Sequence, residues 1–214
     1  MWISTVDYIV FLSDLVKATV ALFIIVDPLG NIPIFMSLTE KIDSVQRKKV
    51  FNVAVLVGFV LLLVFAFLGQ EILNLFGLSI YSFEVAGGIL LLIISIRILV
   101  TGSKESNTEP PESIGAVPIA MPLLVGPGAI TTTMFTLQQY STDGYLVGVV
   151  IAVLAVVIVL SITWVILRFM NGVYKILGKT GSLVISRVMA LLIAALAIQY
   201  ILSGLNNYLA LNAH

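Results

Sequence analysis

The stretch Asp27-Pro28-Leu29-Gly30-Asn31-Ile32-Pro33 lies inside an apolar run that extends over residues 8–38. A continuous helix over that run would be roughly 46 Å long, well beyond the ~30 Å hydrocarbon core of a bilayer. Proline removes a backbone donor and clashes with the preceding turn, so two prolines with a glycine between them are expected to break the helix. At membrane depth such a break is tolerated only where protein or a water-filled cavity covers the freed backbone groups. The stretch therefore reads either as a structural kink or as a polar site inside a bilayer.

Composition places the whole chain in the bilayer. Of 214 residues, 60% are hydrophobic and only 10% charged, against ~25% charge in a soluble domain that must wet its surface. Mean hydropathy is +1.15, and uninterrupted apolar runs such as residues 50–68 and 145–167 reach the length of a membrane span. The first apolar run is not expected to be a cleavable signal peptide: it lacks a basic leading region and carries Asp14 and Lys17. Net charge near zero argues against nucleic acid as a partner. Cysteine is absent, which removes disulfides, thiolate catalysis and cysteine metal sites. The single histidine is His214, so no histidine serves catalysis or metal binding within the membrane. No cofactor or metal is expected.

Six spans are expected. The first covers residues 8–38 with its break, and the polar linker 39–49 carries Lys41, Arg47, Lys48 and Lys49. The second span covers 50–69, and the link 70–82 contains no Lys or Arg. The third covers 83–100, where Ala86, Gly87 and Gly88 permit close helix packing. Residues 101–113 are polar and rich in helix breakers, a midpoint linker. The fourth span, 114–137, is interrupted at Pro118, Pro122, Gly126, Pro127 and Gly128; a turn at 141–144 leads to the fifth, 145–169. The next link holds Lys175 and Lys179 with Arg168 and Arg187 at its edges, and the sixth span covers 184–205. Lysine and arginine thus gather at the links after spans 1, 3 and 5, which are expected on the cytoplasmic side, with both termini outside. Lys17 is the main exception and is assigned to the outer interface.

The chain also reads as two related halves. Pro28-Leu29-(x)3-Pro33 in the first span matches Pro122-Leu123-(x)3-Pro127 in the fourth. The third spans align as well: Leu90-Leu91 over Leu192-Ile193, Arg97 over Gln199, Gly102 over Gly204. Three spans per half is an odd number, so the second half enters the membrane from the opposite side. The expected fold is an all-α membrane protein of about six transmembrane spans in two inverted three-span repeats, residues 1–103 and 114–214, joined by a polar linker at 104–113. The first span of each repeat is broken. Many secondary transporters are built this way, with the broken helices meeting near the midplane.

A break frees amides at one half-helix end and carbonyls at the other. The amide end suits an anion such as a carboxylate; the carbonyl end, aided by an acidic side chain, suits a cation or an ammonium group. A zwitterionic amino acid presents both. Asp27 follows Leu22-Phe23-Ile24-Ile25-Val26, where an isolated ionised carboxylate is costly. It reads as a ligand for a substrate ammonium or as the site of a coupling proton or cation. It also fits a helix N-cap with Pro28 in the first helical position, and both roles can hold together. Gly30 admits close approach of a ligand and Asn31 offers a donor and an acceptor. Together with Pro33 they form the first half of the candidate substrate site; Gly126, Gly128, Thr131 and Thr132 form the second, although threonines in membrane helices often bond back to their own backbone. Glu84 and Arg97 are expected near the interfaces, Gln138, Gln139 and Tyr140 are expected to be solvated, and Gln199 is read as interhelical glue.

Two segments also resemble the signature motifs of a known family. Asp27-Pro28-Leu29-Gly30-Asn31-Ile32-Pro33-Ile34-Phe35 and Pro118-Ile119-Ala120-Met121-Pro122-Leu123-Leu124-Val125-Gly126-Pro127-Gly128-Ala129-Ile130-Thr131 look like those of the MarC integral membrane proteins. Ala86-Gly87-Gly88-Ile89-Leu90-Leu91 resembles a third motif. The resemblance spans essentially the whole chain and implies a six-span protein of the prokaryotic cytoplasmic membrane. Some members of that family are described as transporters of small neutral amino acids such as glycine and alanine.

Function classes separate on these residues. The expected function is secondary transport of a small neutral amino acid coupled to H+ or Na+, by alternating access that an elevator motion would suit. The expected partners are that amino acid, the coupling ion and the lipid bilayer, and a homo-oligomer is compatible with them. An exporter or permease of another small solute on the same fold is the alternative. An intramembrane enzyme is disfavoured: a serine protease wants a base, and an aspartyl protease wants a second acid facing Asp27.

Overall fold

The computed structural model describes residues 5–32, 35–36, 39, 43–101, 125–141 and 144–212. These form α1 (Thr5–Val26), α2 (Ser44–Leu75), α3 (Ile80–Thr101), α4 (Pro127–Tyr140), α5 (Tyr145–Arg168) and α6 (Met170–Asn212), and no strand occurs among them. Among the described residues, five helices are long and apolar enough to cross a membrane: α1, α2, α3, α5 and the Thr180–Ala210 part of α6. α4 has 14 residues and covers only about 21 Å. Residues 102–124, where the sequence places the midpoint linker and the start of the fourth span, lie outside the described residues.

Local signals set the helix ends. Asp43 caps α2, its Oδ1 accepting from the amides of Val45 and Gln46, each at 2.8 Å. The cap starts the helix at Ser44, so Arg47, Lys48 and Lys49 stand on its first turns rather than in the extended linker expected at 39–49. At the other end Gly77 takes φ 66°. Its amide returns to the Asn74 carbonyl at 3.0 Å and that of Leu78 to Leu73 at 2.9 Å, a Schellman stop. The link expected after the fifth span is also helical: α6 starts at Met170 and bends at Gly178, with φ 63° and ψ −175°.

α5 is the most embedded helix. Gly148, Ile151, Ala152, Ala155, Val156, Val159, Leu160, Thr163 and Leu167 are buried along it as it packs against α1, α2 and α4. The main core cluster gathers Leu22 and Val26 of α1, Ile32 and Phe35 beyond its end, Phe51, Ala54 and Leu62 of α2, Val125 and Ala129 at the start of α4, and the inner face of α5. The rings of Phe35 and Phe51 meet edge to face at 5.9 Å.

α3 and α6 form an antiparallel pair. A Cβ on Gly88 would lie 2.8 Å from the Ala197 carbonyl oxygen, and one on Gly204 would lie 2.8 Å from that of Tyr81. Backbones this close need residues without side chains, the packing that membrane helices use where hydrophobic contrast is absent. Beyond Gly88, Leu91 packs with Ile193, Ala197 and Tyr200.

Several single residues depart from expectation. Glu84 is packed inside the bundle at 2% exposure, because its face of α3 turns inward. Tyr140 is buried with Ala18, Ile151 and Ala155 rather than solvated. Gln199 stands on the exposed face of α6, not between helices. Lys17, assigned to the outer interface, keeps an exposed side chain and pairs with Asp14 at 3.0 Å one turn away.

Candidate functional site

α1 stops at Asp27. Its amide closes the last turn on the Phe23 carbonyl at 3.0 Å, and its φ then swings to 43°. That left-handed value is uncommon outside glycine, and aspartate reaches it because its short side chain bonds locally. Oδ1 accepts from the Gly30 amide at 3.0 Å, and the Asn31 amide returns to the Asp27 carbonyl at 3.1 Å. Asp27 thus ends one helix and N-caps the next helical segment, with Pro28 in the first position. That segment continues through amide bonds from Phe35 to Asn31 at 3.0 Å and from Thr39 to Phe35 at 3.1 Å.

Asn31 works in the opposite direction. Its Nδ2 donates to the Val26 carbonyl at 3.2 Å, one of the end carbonyls of α1. Two side chains four residues apart therefore satisfy backbone groups on both sides of the break. Asp27 and Gly30 are buried, Asn31 is half-buried, and a Cβ on Gly30 would run into the Asp27 carboxylate. α6 reaches the same place: Ser186 Oγ lies 3.1 Å from the Gly30 carbonyl and 2.9 Å from that of Ser182.

The second interruption is built differently. α4 starts at Pro127, and its N-cap is Gly126, which brings no side-chain hydrogen bond to the first turn. The Ala129 and Ile130 amides share the Gly126 carbonyl at 3.0 and 3.3 Å. A Cβ on Gly128 would collide with Leu91 of α3 and approach Ile25 Cγ2 of α1 to 3.2 Å, so the start of α4 packs beside the end of α1. Leu91 lies midway along α3, and Val125 packs against Gly58, midway along α2. The amide end of α4 therefore opens near the middle of the bundle.

The hydroxyls that follow face neighbouring helices. Thr131 packs against Gly87 of α3. Thr132 Oγ1 donates to the Gly128 carbonyl at 2.7 Å and accepts from the Tyr200 hydroxyl of α6 at 3.1 Å; Thr133 donates to Ala129 at 2.8 Å. Asp27, Gly30 and Asn31 thus come together at one interruption, and Gly126, Gly128, Thr131 and Thr132 at the other. Pro33 lies outside the described residues. The polar residues that the sequence left unmarked are Ser186 and Tyr200, which stand next to the more conspicuous Arg187 and Gln199. Among the described residues, no three His, Cys, Asp or Glu side chains gather as a metal site would require.

Long apolar helices with two interruptions packed side by side in the interior define an integral, multi-pass membrane protein. More closely, the chain belongs to the MarC family: the family model described as MarC family integral membrane protein matches residues 12–209. A UPF0056 membrane protein of Buchnera aphidicola subsp. Schizaphis graminum is 37% identical over 218 residues, all of both chains. One from Archaeoglobus fulgidus is 35% identical over 91% of this chain and 93% of its own. The UPF0056 membrane protein YhcE of Escherichia coli is 37% identical over 88% of this chain and 90% of its own. No solved structure matches.

Proposed function

We propose that this protein is a secondary transporter of small neutral amino acids of the glycine and alanine type, driven by H+ or Na+. The observation that carries the reading is the start of α4, whose N-cap Gly126 brings no side chain, packed beside the Asp27 break. The first turn of α4 suits the carboxylate of a small zwitterion, and the Asp27 carboxylate suits its ammonium group. Gly30 and Gly128 let the chain pack closely at the junction, and the apolar walls of Ile25, Leu91 and Val125 disfavour a charged ligand.

The packing pattern supports two inverted three-span repeats. Exchange α1 with α4, α2 with α5 and α3 with α6, and most neighbours are preserved: α1–α5 becomes α2–α4, α1–α6 becomes α3–α4, and α2–α5 and α3–α6 map onto themselves; the main exception is α4–α5, whose image α1–α2 is not a close packing pair. The α3–α6 seam is centred on Leu91 and Ile193, the pair that the internal alignment equates. In this arrangement the broken elements meet at the repeat interface, where alternating access is organised in many transporters. Arg47 of α2 reaches Asn171 of α6 at 3.3 Å, and Arg168 ends α5 nearby, so the basic residues of two links share one end of the bundle. This supports a cytoplasmic placement of that end and external termini in a prokaryotic inner membrane.

The test is counterflow in liposomes over a panel of amino acids, with imposed pH and sodium gradients. Saturable exchange of glycine or alanine is expected. Absence of such flux in both directions sinks the assignment, and saturable flux of a different solute replaces the substrate while keeping the transporter.

A further inference from the structure

A second polar cluster sits apart from the Asp27 break, where α3, α4 and α6 meet. Glu84 of α3 is 2% exposed, and its Oε1 has no hydrogen-bond partner. The Ser203 hydroxyl of α6 hydrogen-bonds its carboxyl group. Tyr200, one turn back on α6, is also buried and lies within electrostatic range of Glu84. From the Tyr200 hydroxyl the hydrogen bonds run to Thr132 Oγ1 at 3.1 Å and on to the Gly128 carbonyl at 2.7 Å. A buried acid with an open oxygen is thus followed by hydroxyls that end on the glycine of the second interruption.

The surrounding groups do not neutralise this acid. On its own face of α3 the neighbours are Ile80, Gly87 and Leu91. α6 brings Tyr200 and Ser203; α4 brings Met134 and, at its far end, Tyr140. Beyond Tyr140 stand Asp14 and Lys17 of α1, already joined to each other at 3.0 Å. A buried carboxylate without a cationic partner is disfavoured, and a bound proton removes the charge. A metal cation needs a shell of several oxygens, whereas a proton needs one acceptor, and Glu84 Oε1 is one.

We propose that Glu84 binds and releases the coupling proton, and that Tyr200 and Thr132 carry its charge state to the first turn of α4. This rests on the transporter reading above and moves the coupling site from Asp27 to the α3–α6 seam. With Glu84 protonated, its carboxyl can donate as well as accept, which changes how Ser203 and Tyr200 are held. With Glu84 ionised, both hydroxyls are drawn toward it as donors, and the Tyr200 bond to Thr132 is weakened.

The test uses the purified protein in liposomes, with labelled alanine and an entrapped pH dye, and an infrared pH titration of carboxyl groups. Glu84→Gln is expected to keep alanine counterflow, lose accumulation driven by a pH gradient together with the accompanying proton flux, and lose one titrating carboxyl signal. Glu84→Asp is expected to accumulate alanine with a shifted pH profile, and Tyr200→Phe to shift that profile with counterflow kept. Intact proton-driven accumulation in Glu84→Gln overturns the proposal, as does wild-type protein that exchanges alanine but never responds to a pH gradient. If Glu84→Gln does not fold, an unshifted profile in Glu84→Asp overturns it. If the wild type exchanges no amino acid, the transporter reading fails instead. The infrared titration then decides alone whether Glu84 takes up a proton: loss of a signal in Glu84→Gln, or its shift in Glu84→Asp, supports it, and an unchanged spectrum overturns it.

Discussion

The two interruptions solve one backbone problem in opposite ways. At Asp27 the chain supplies its own partners: the carboxylate takes the Gly30 amide, and Asn31 takes the Val26 carbonyl. At Gly126 the N-cap residue brings no side chain to the first turn of α4, although that turn packs against α1, α2 and α3. Buried backbone donors are rarely left without a partner. A self-satisfied break is a fixed structural element, whereas an uncapped one is suited to a partner from outside the chain, a ligand or water. On the proposed reading the first break holds the bundle and the second takes the anion, with Asp27 adding a charge from the held side.

The comparison breaks most severely at Gly128. In Gly128→Val the new branched side chain meets Leu91 and Ile25, overpacking a helix junction at a cost of about 1–3 kcal/mol. Thermal unfolding in detergent should register the loss, and transport should be abolished even where folded protein is recovered, because the junction and the ligand space coincide. Wild-type flux in a folded Gly128→Val protein contradicts a ligand at this end of α4.

Asp27 separates cap from ligand in a pair of variants. Asp27→Ala removes the capping oxygen and is expected to lose about 1 kcal/mol of stability. Asp27→Asn keeps an oxygen for the Gly30 amide and should unfold near the wild-type temperature, while losing the charge that meets an ammonium group. Reduced alanine affinity in Asp27→Asn at unchanged stability makes Asp27 a ligand; wild-type affinity reduces it to a cap.

The breaks themselves were legible in the sequence because proline and glycine punctuate runs that are otherwise uniformly apolar. The cap was legible in Asp27-Pro28, a pair whose backbone preferences suit a helix start. What stayed hidden is which face each helix turns inward. α3 is apolar all round, with Ile80, Phe83, Val85 and Ile89 bracketing Glu84 in every direction, so periodicity gives no reason to bury the acid rather than float it to an interface. Tyr140 and Gln199 were misplaced for the same reason, and only the contacts of α1, α5 and α3 with those helices settle them. The basic Arg47-Lys48-Lys49 run looked like a linker because charge marks the end of a membrane span, yet the Asp43 cap carries the helix past it.

Asn31 sharpens the contrast on the held side. Asn31→Ala leaves the Val26 carbonyl without its side-chain donor, and about 1 kcal/mol or less should be lost. Hydrogen exchange at the amides of the 27–31 turn should quicken, while α4 exchanges as before. Equal quickening at both interruptions would mean that the two are mechanically one unit.

The finest effect is expected at Thr132, where the uncapped break is tied to α6. Thr132→Val keeps the shape of the side chain but removes both the Tyr200 hydroxyl's acceptor and the bond to Gly128. An interhelical hydrogen bond of this kind contributes only about 0.6 kcal/mol in a membrane protein, because the displaced groups find other partners. Stability should therefore barely move, and Tyr200→Phe combined with Thr132→Val should cost little more than either alone. If the start of α4 is the working half of the site, the same small change should still alter alanine affinity, since Thr132 holds the Gly128 carbonyl in the first turn of that helix. An unchanged affinity in Thr132→Val would leave α4 held by packing alone, with α6 taking no part in shaping the site.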